Sequence, residues 1–132
     1  MSDLTGRFKF LSTENFEEFL KAVGVGMVMR KLGSTSKPTV EISKEGDKWK
    51  IKTITTFKTT EIEFKLGEEF EETRMDGSVV KTTITQEGNK LIQKQLGDKE
   101  VTITREINDD ELKVVCTVED IVSTRIYKRE SS

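Results

Sequence analysis

Arg105 is the residue whose setting asks most for an explanation. It lies in the run 101–107, where Val101, Ile103 and Ile107 alternate with Thr102, Thr104 and Glu106, and it falls on the apolar side. Successive strand side chains point to opposite faces, so a strand here carries Arg105 inward. An arginine in a strand is ordinarily a solvated surface group, but the parity of its neighbours argues otherwise. An uncompensated interior cation costs several kcal/mol even after relaxation, and no acid in 100–107 shares its face. In the run 122–129, Ser123, Arg125 and Tyr127 share one face, while Val122, Thr124 and Ile126 form an equally plausible inner one. If the first face is the inner one, two guanidinium groups and a phenol converge with no obvious side-chain acid to meet them. An anion from outside is then required, and a carboxylate fits the planar guanidinium fork.

Other chemistries find little support. Histidine is absent, which removes the commonest general base and the commonest transition-metal ligand together. No nucleophile–base pair stands out, so no enzymatic activity, cofactor or metal site is expected. Cys116 shares an apolar strand face with Leu112, Val114 and Val118 and reads as a small buried hydrophobe. Gly24-Val25-Gly26 lacks the third glycine of a dinucleotide loop, Met29 standing in its place. Glu68, Glu69, Glu71 and Glu72 have no calcium-loop spacing and read as a solvated turn. Met27 and Met29 read as packing. Lys21, Arg30 and Lys31 read as surface charge, or as a basic patch that touches anionic membrane transiently.

The elements that must position these groups follow from rhythm. The chain has 132 residues, enough for a single domain spanning 1–132. Charged residues make up 35% and apolar ones 33%, a low apolar share for filling a dry core. A net charge of −2 leaves no footprint for nucleic acid. The N-terminal residues show no secretory signal and no segment is apolar enough to span a bilayer, so a cytoplasmic monomer is expected, small enough to enter the nucleus. Turn signals fall at Glu45-Gly46-Asp47, Gly67, Asp76-Gly77, Gly88-Asn89, Gly97-Asp98 and Asn108-Asp109-Asp110. They separate strand-like runs at 39–44, 49–56, 60–66, 69–75, 79–86, 90–96, 100–107, 111–118 and 122–129, with 5–13 in front. One helix is predicted after a cap at Ser12 or Thr13, burying Phe16, Phe19, Leu20 and Val23. Gly24 to Gly26 breaks it, and a second runs from Met27 to Leu32. Ten antiparallel strands avoid open edges by closing on themselves, and ten enclose more space than side chains fill. The expected fold is all-β: a ten-stranded antiparallel up-and-down β-barrel (a clam) capped by a helix-turn-helix lid.

The stretch Gly6-Arg-Phe-Lys-Phe-Leu-Ser-Thr-Glu-Asn-Phe-Glu-Glu-Phe-Leu-Lys21 resembles the N-terminal signature of the intracellular fatty-acid-binding proteins. Gly24-Val25-Gly26, Lys37-Pro38-Thr39, Thr56-Phe57-Lys58, Phe64-Lys65-Leu66-Gly67, Glu69-Phe70 and Ser123-Thr124-Arg125-Ile126-Tyr127 extend the likeness over nearly the whole chain. It is closest to the heart, adipocyte and myelin type. The resemblance implies the lipid-binding-protein (calycin-like) barrel, an intracellular carrier with one long-chain fatty acid in a hydrated cavity. It implies carboxylate binding by Arg105, Arg125 and Tyr127, and a cavity lined by Phe16, Thr53, Phe57, Asp76 and Gln95. Retinol-binding relatives carry glutamine at the arginine positions, so an acid is favoured over an alcohol, with retinoic acid as the alternative. Basic lid residues serve nuclear entry in some members, which extends the alternative to a ligand-dependent shuttle. Four departures bear on ligand preference rather than class: Phe8 for the usual tryptophan, Val40 for a polar or sulfur-bearing residue, Ser78 for a frequent arginine, and a shortened Gln93-to-Gly97 segment.

Overall fold

Two-residue turns and period-two alternation build almost all of this molecule. The computed structural model describes residues 4–56, 58–73, 78–97 and 99–130. The strands are β1 (Gly6–Glu14), β2 (Thr39–Glu45), β3 (Lys48–Ile54), β4 (Thr59–Lys65), β5 (Phe70–Thr73), β6 (Val79–Glu87), β7 (Lys90–Leu96), β8 (Val101–Asn108), β9 (Glu111–Val118) and β10 (Ile121–Arg129). Helices α1 (Phe16–Ala22) and α2 (Met27–Thr35) lie between β1 and β2. The ten strands form one sheet in the order β4-β3-β2-β1-β10-β9-β8-β7-β6-β5, every pairing antiparallel. It curls into a nearly closed barrel with the two helices as its lid. The pairing of β1 with β10 joins the two halves, and β4 and β5 are left as the flanks of a seam.

Glycine at φ +63° (Gly46) and +59° (Gly88) makes two of the hairpins, a backbone region that costs glycine nothing. Asp109 and Glu119 hold φ 53° and 54° at the β8–β9 and β9–β10 turns. Neither turn contains a glycine. Alternation then sorts the faces. Leu112, Val114, Cys116 and Val118 are buried on β9, and Ser123, Arg125 and Tyr127 on β10. The open choice for β10 is thereby decided: Val122 is half exposed and the arginine faces in. Phe8, Ile42, Ile84, Leu91, Ile107 and Leu112 are buried in the hydrophobic core. The rings of Trp49, Phe64 and Phe70 stack in sequence at 6.4 and 6.0 Å. Phe8 is fully buried, as a core replacement for a larger ring should be.

Three local expectations are corrected. Ser12 and Thr13 do not cap α1: β1 continues through Glu14, with a bulge between Phe10 and Ser12 in its register with β10. Asn15 occupies the cap in left-handed conformation, and its Nδ2 donates to the Val122 carbonyl at 3.0 Å instead of to the helix. The second helix runs on to Thr35 through a buried Gly33. The strand expected over 49–56 stops at Ile54, because the Thr55 hydroxyl donates to the Lys58 carbonyl at 2.6 Å and accepts from its N–H at 3.0 Å, which fixes a turn.

Candidate functional site

Register brings the predicted polar groups to one wall. Arg105 on β8 faces Val114 on β9, which faces Arg125 on β10. Two strand spacings separate the arginine backbones, about 10 Å. Ser123 and Cys116 form the neighbouring row, and Tyr127 lies opposite Leu112 and Phe10. The Phe10 and Tyr127 rings meet edge to face at 5.9 Å.

Arg125 is 5% exposed and is roofed by two rings: Phe16 of α1 at 4.1 Å and Phe10 at 5.0 Å from the guanidinium carbon. Its Nη2 makes a long contact of 3.5 Å to the Ser36 carbonyl. Its Nε, and the Ser123 hydroxyl beside it, are sealed from solvent with no hydrogen-bond partner among the described residues. An aromatic face offsets a cation by about 0.5–2 kcal/mol, far less than a carboxylate would.

Arg105 is differently placed. Its Nη1 donates to Gln93 Oε1 at 2.5 Å, and Gln93 Nε2 donates onward to Glu72 Oε1 at 2.7 Å. Thr82 Oγ1 (2.9 Å) and Gln95 Nε2 (3.0 Å) donate to the same oxygen. Glu72 is therefore an interior acid, and the expectation of a solvated turn is wrong for it. Arg105 itself touches no acid among the described residues and is linked to Glu72 only through Gln93. On β5 the parity runs Phe70 and Glu72 inward, Glu71 and Thr73 outward. The one sequence signal was Phe70 two residues earlier.

Burial lowers the pKa of Arg105, with Cys116, Glu72 and Tyr127 acting against it. Arg125 is lowered by burial as well, opposed by Tyr127 and Cys116. Both guanidinium groups remain cations at any ordinary pH. Burial raises the Tyr127 phenol and pushes the Cys116 thiol up to about 11, both guanidinium groups acting against it. The thiol is consequently a poor nucleophile.

A cavity of about 610 Å³, within the size range of small-molecule sites, lies between the lid and strands β3, β4, β5, β7 and β8. Phe19, Leu20 and Val25 bound it on the lid side, with Thr53, Ile62, Phe70, Glu72, Gln95 and Ile103 around the barrel. Exposed Glu61, Glu63 and Glu71 also border it, which puts an opening at the β4–β5 seam. Of the residues expected to line a cavity, Thr53 and Gln95 border this one. Phe16 covers Arg125, and the arginines and Tyr127 do not border the open space. Phe57 and Asp76 lie outside the described residues. On the lid, Lys21 and Lys31 are exposed, but Arg30 is engaged: its Nη1 donates to the Val25 carbonyl at 3.1 Å and its Nε lies 3.8 Å from Glu17. Met29 packs on the core, whereas Met27 is 66% exposed and is corrected from packing to surface. No helix among the described residues is long and apolar enough to cross a membrane.

Residues 5–130 match the pattern described as the lipocalin / cytosolic fatty-acid binding protein family. The chain belongs to that family. It is similar to a fatty acid-binding protein of Tyrophagus putrescentiae, 50% identical over 131 residues and covering 98% of this chain and 100% of the other. It is also 50% identical over 128 residues to sodium/calcium exchanger regulatory protein 1 of Doryteuthis pealeii, with 97% of each chain covered. The structure of a Schistosoma mansoni fatty acid binding protein in complex with arachidonic acid superposes with a TM-score of 0.95 at 37% identity, covering 99% of this chain and 98% of that one. Members of the fatty-acid binding family are lipid-binding carriers rather than enzymes, and this chain is a lipid-binding carrier.

Proposed function

We propose that this carrier binds one long-chain fatty acid as its carboxylate, solubilises it and transports it through the cytosol as a single-domain monomer. The observation that carries this reading is the orphaned cation: Arg125 sits on the inner wall with a buried, unpartnered Nε and only π-faces and a distant carbonyl for company. A ligand carboxylate supplies the missing charge, received by Arg125 and the Tyr127 hydroxyl, with Arg105 assisting directly or through water. For this the Phe16 ring must yield, a modest loss beside a buried ion pair. The alkyl tail fills the cavity toward the lid and contributes about 0.8 kcal/mol per buried CH₂ before ordering costs. Titration calorimetry tests the assignment. Arg125→Ala should weaken oleate binding by about 10- to 100-fold, the worth of a hydrogen-bonded charge, with an unchanged circular dichroism spectrum. Unaltered affinity overturns it. Retinoate binding tighter than oleate would change the ligand class and keep the head-group site.

Delivery is proposed to run through the lid. Met27 and Val28 expose apolar side chains at 66% and 73% beside exposed Lys31, a combination suited to brief contact with an anionic membrane. The nuclear alternative finds less support, because Arg30 is held between the helices and the three lid cations are not presented together.

A further inference from the structure

The interior acid is more than a counter-charge for Arg105. Glu72 Oε1 collects three hydrogen bonds, from Thr82, Gln93 and Gln95. An ionised carboxylate offers about four lone-pair sites over its two oxygens, and among the described residues none donates to Oε2. That second oxygen is not among the sealed polar atoms, and Glu72 borders the cavity. Thr82 and Gln93 are fully buried and Gln95 nearly so, so the carboxylate is clamped by its Oε1 edge, and Oε2 is left without an internal donor on a residue that borders the ligand space.

We propose that Glu72 forms a second polar recognition point that accepts a hydrogen bond from a hydroxyl on the ligand chain, making hydroxylated fatty acids the preferred cargo. This rests on the carboxylate-lipid reading above. A plain alkyl chain laid over Oε2 strips water from a charged acceptor and returns nothing, a penalty that buried polar groups exact in full. A hydroxyl returns the bond, and because the acceptor is already oriented little ordering is lost. A ligand carbonyl or carboxylate would meet it oxygen to oxygen and be repelled. The acid end is thus kept at the cation row and the neutral donor at β5. Since the two points sit at different places on the wall, only a hydroxyl at the matching distance from the head group profits. Selectivity should therefore depend on position.

Calorimetry with stearate, a series of monohydroxystearates differing in hydroxyl position, and the corresponding ketostearates tests this. On the wild-type protein at least one hydroxy isomer should bind about tenfold or more tighter than stearate, as a hydrogen bond to a charged group allows, and its keto counterpart should bind less well. Glu72→Gln keeps an oxygen for the three internal donors and puts an amide donor in place of Oε2, so the hydroxy-over-keto preference should shrink or invert. The inference is overturned if stearate binds the wild type and no hydroxy isomer exceeds it, or if Glu72→Gln folds and leaves the preference unchanged. Should that variant not fold, the wild-type series decides alone. A wild-type protein that binds no stearate sinks the carboxylate-lipid reading itself, and this inference with it.

Discussion

Cys116 lies one row away from two guanidinium groups without becoming reactive, because desolvation outweighs their charge. Its thiol keeps its proton to about 11 in the native state, against an ordinary value of 9.0. Between those values the unfolded chain releases a proton that the folded one retains, so stability is complete below pH 9 and falls as pH rises toward 11. Thermal unfolding followed from pH 8 upward should show that fall, and Cys116→Ala should make it shallower. Tyr127 is shifted in the same direction, so part of the slope should persist. An identical slope in the variant would assign the loss elsewhere. At this scale the sequence was uneven. Arg105 was legible because it interrupts an otherwise apolar face, and Cys116 because its neighbours at i ± 2 are aliphatic. Arg125 became legible only once β9 fixed which face of β10 is inner. Glu72 was hidden among acids on a strand of four residues, too short for alternation to declare itself.

Among the elements, α1 and α2 are unequal partners. α1 packs on β9 and β10, buries Phe19 and Leu20, and is tied down where Lys99 Nζ donates to the Ala22 carbonyl at 2.7 Å. α2 carries the exposed apolar groups. Replacing Met27 and Val28 by serine should slow transfer of a fluorescent fatty acid to anionic vesicles severalfold while leaving equilibrium affinity close to wild type, since neither residue borders the cavity. A transfer rate indifferent to these changes would show that ligand leaves through water. The helices were recognisable by their apolar spacing, but not the start of the first. The bulge around Leu11 shifts the register of β1, and Ser12 and Thr13 have the chemistry of caps while serving as strand.

For the molecule as a whole, stability depends on the join between β1 and β10. Arg7 binds both Glu41 of β2 and Glu130, and Lys9 Nζ lies 3.1 Å from Glu130. The hydrogen bonds from Lys9 and then Arg7 hold the Glu130 carboxyl below its usual range. A depressed carboxylate contributes stability above its unfolded pKa and loses it as pH falls through the native value. Glu130→Gln should flatten the acid side of the stability–pH curve slightly, an effect that added salt reproduces because the cluster is exposed. Equal acid sensitivity in both proteins would remove the cluster from the account. The barrel was legible at this scale because each turn and each alternating run agreed with closure. The seam between β4 and β5 was not, since nothing in those strands marks them as unpaired.

That join also sets an order of events during synthesis. Of the ten strands, β1 leaves the ribosome first, yet one of its two neighbours, β10, is the last of them to be made. Until β10 emerges, the sheet can grow only as adjacent hairpins, and the greasy inner wall has no roof on that side. The nascent chain should therefore depend on chaperones for most of its translation, and become independent of them abruptly when the last strand is free to pair.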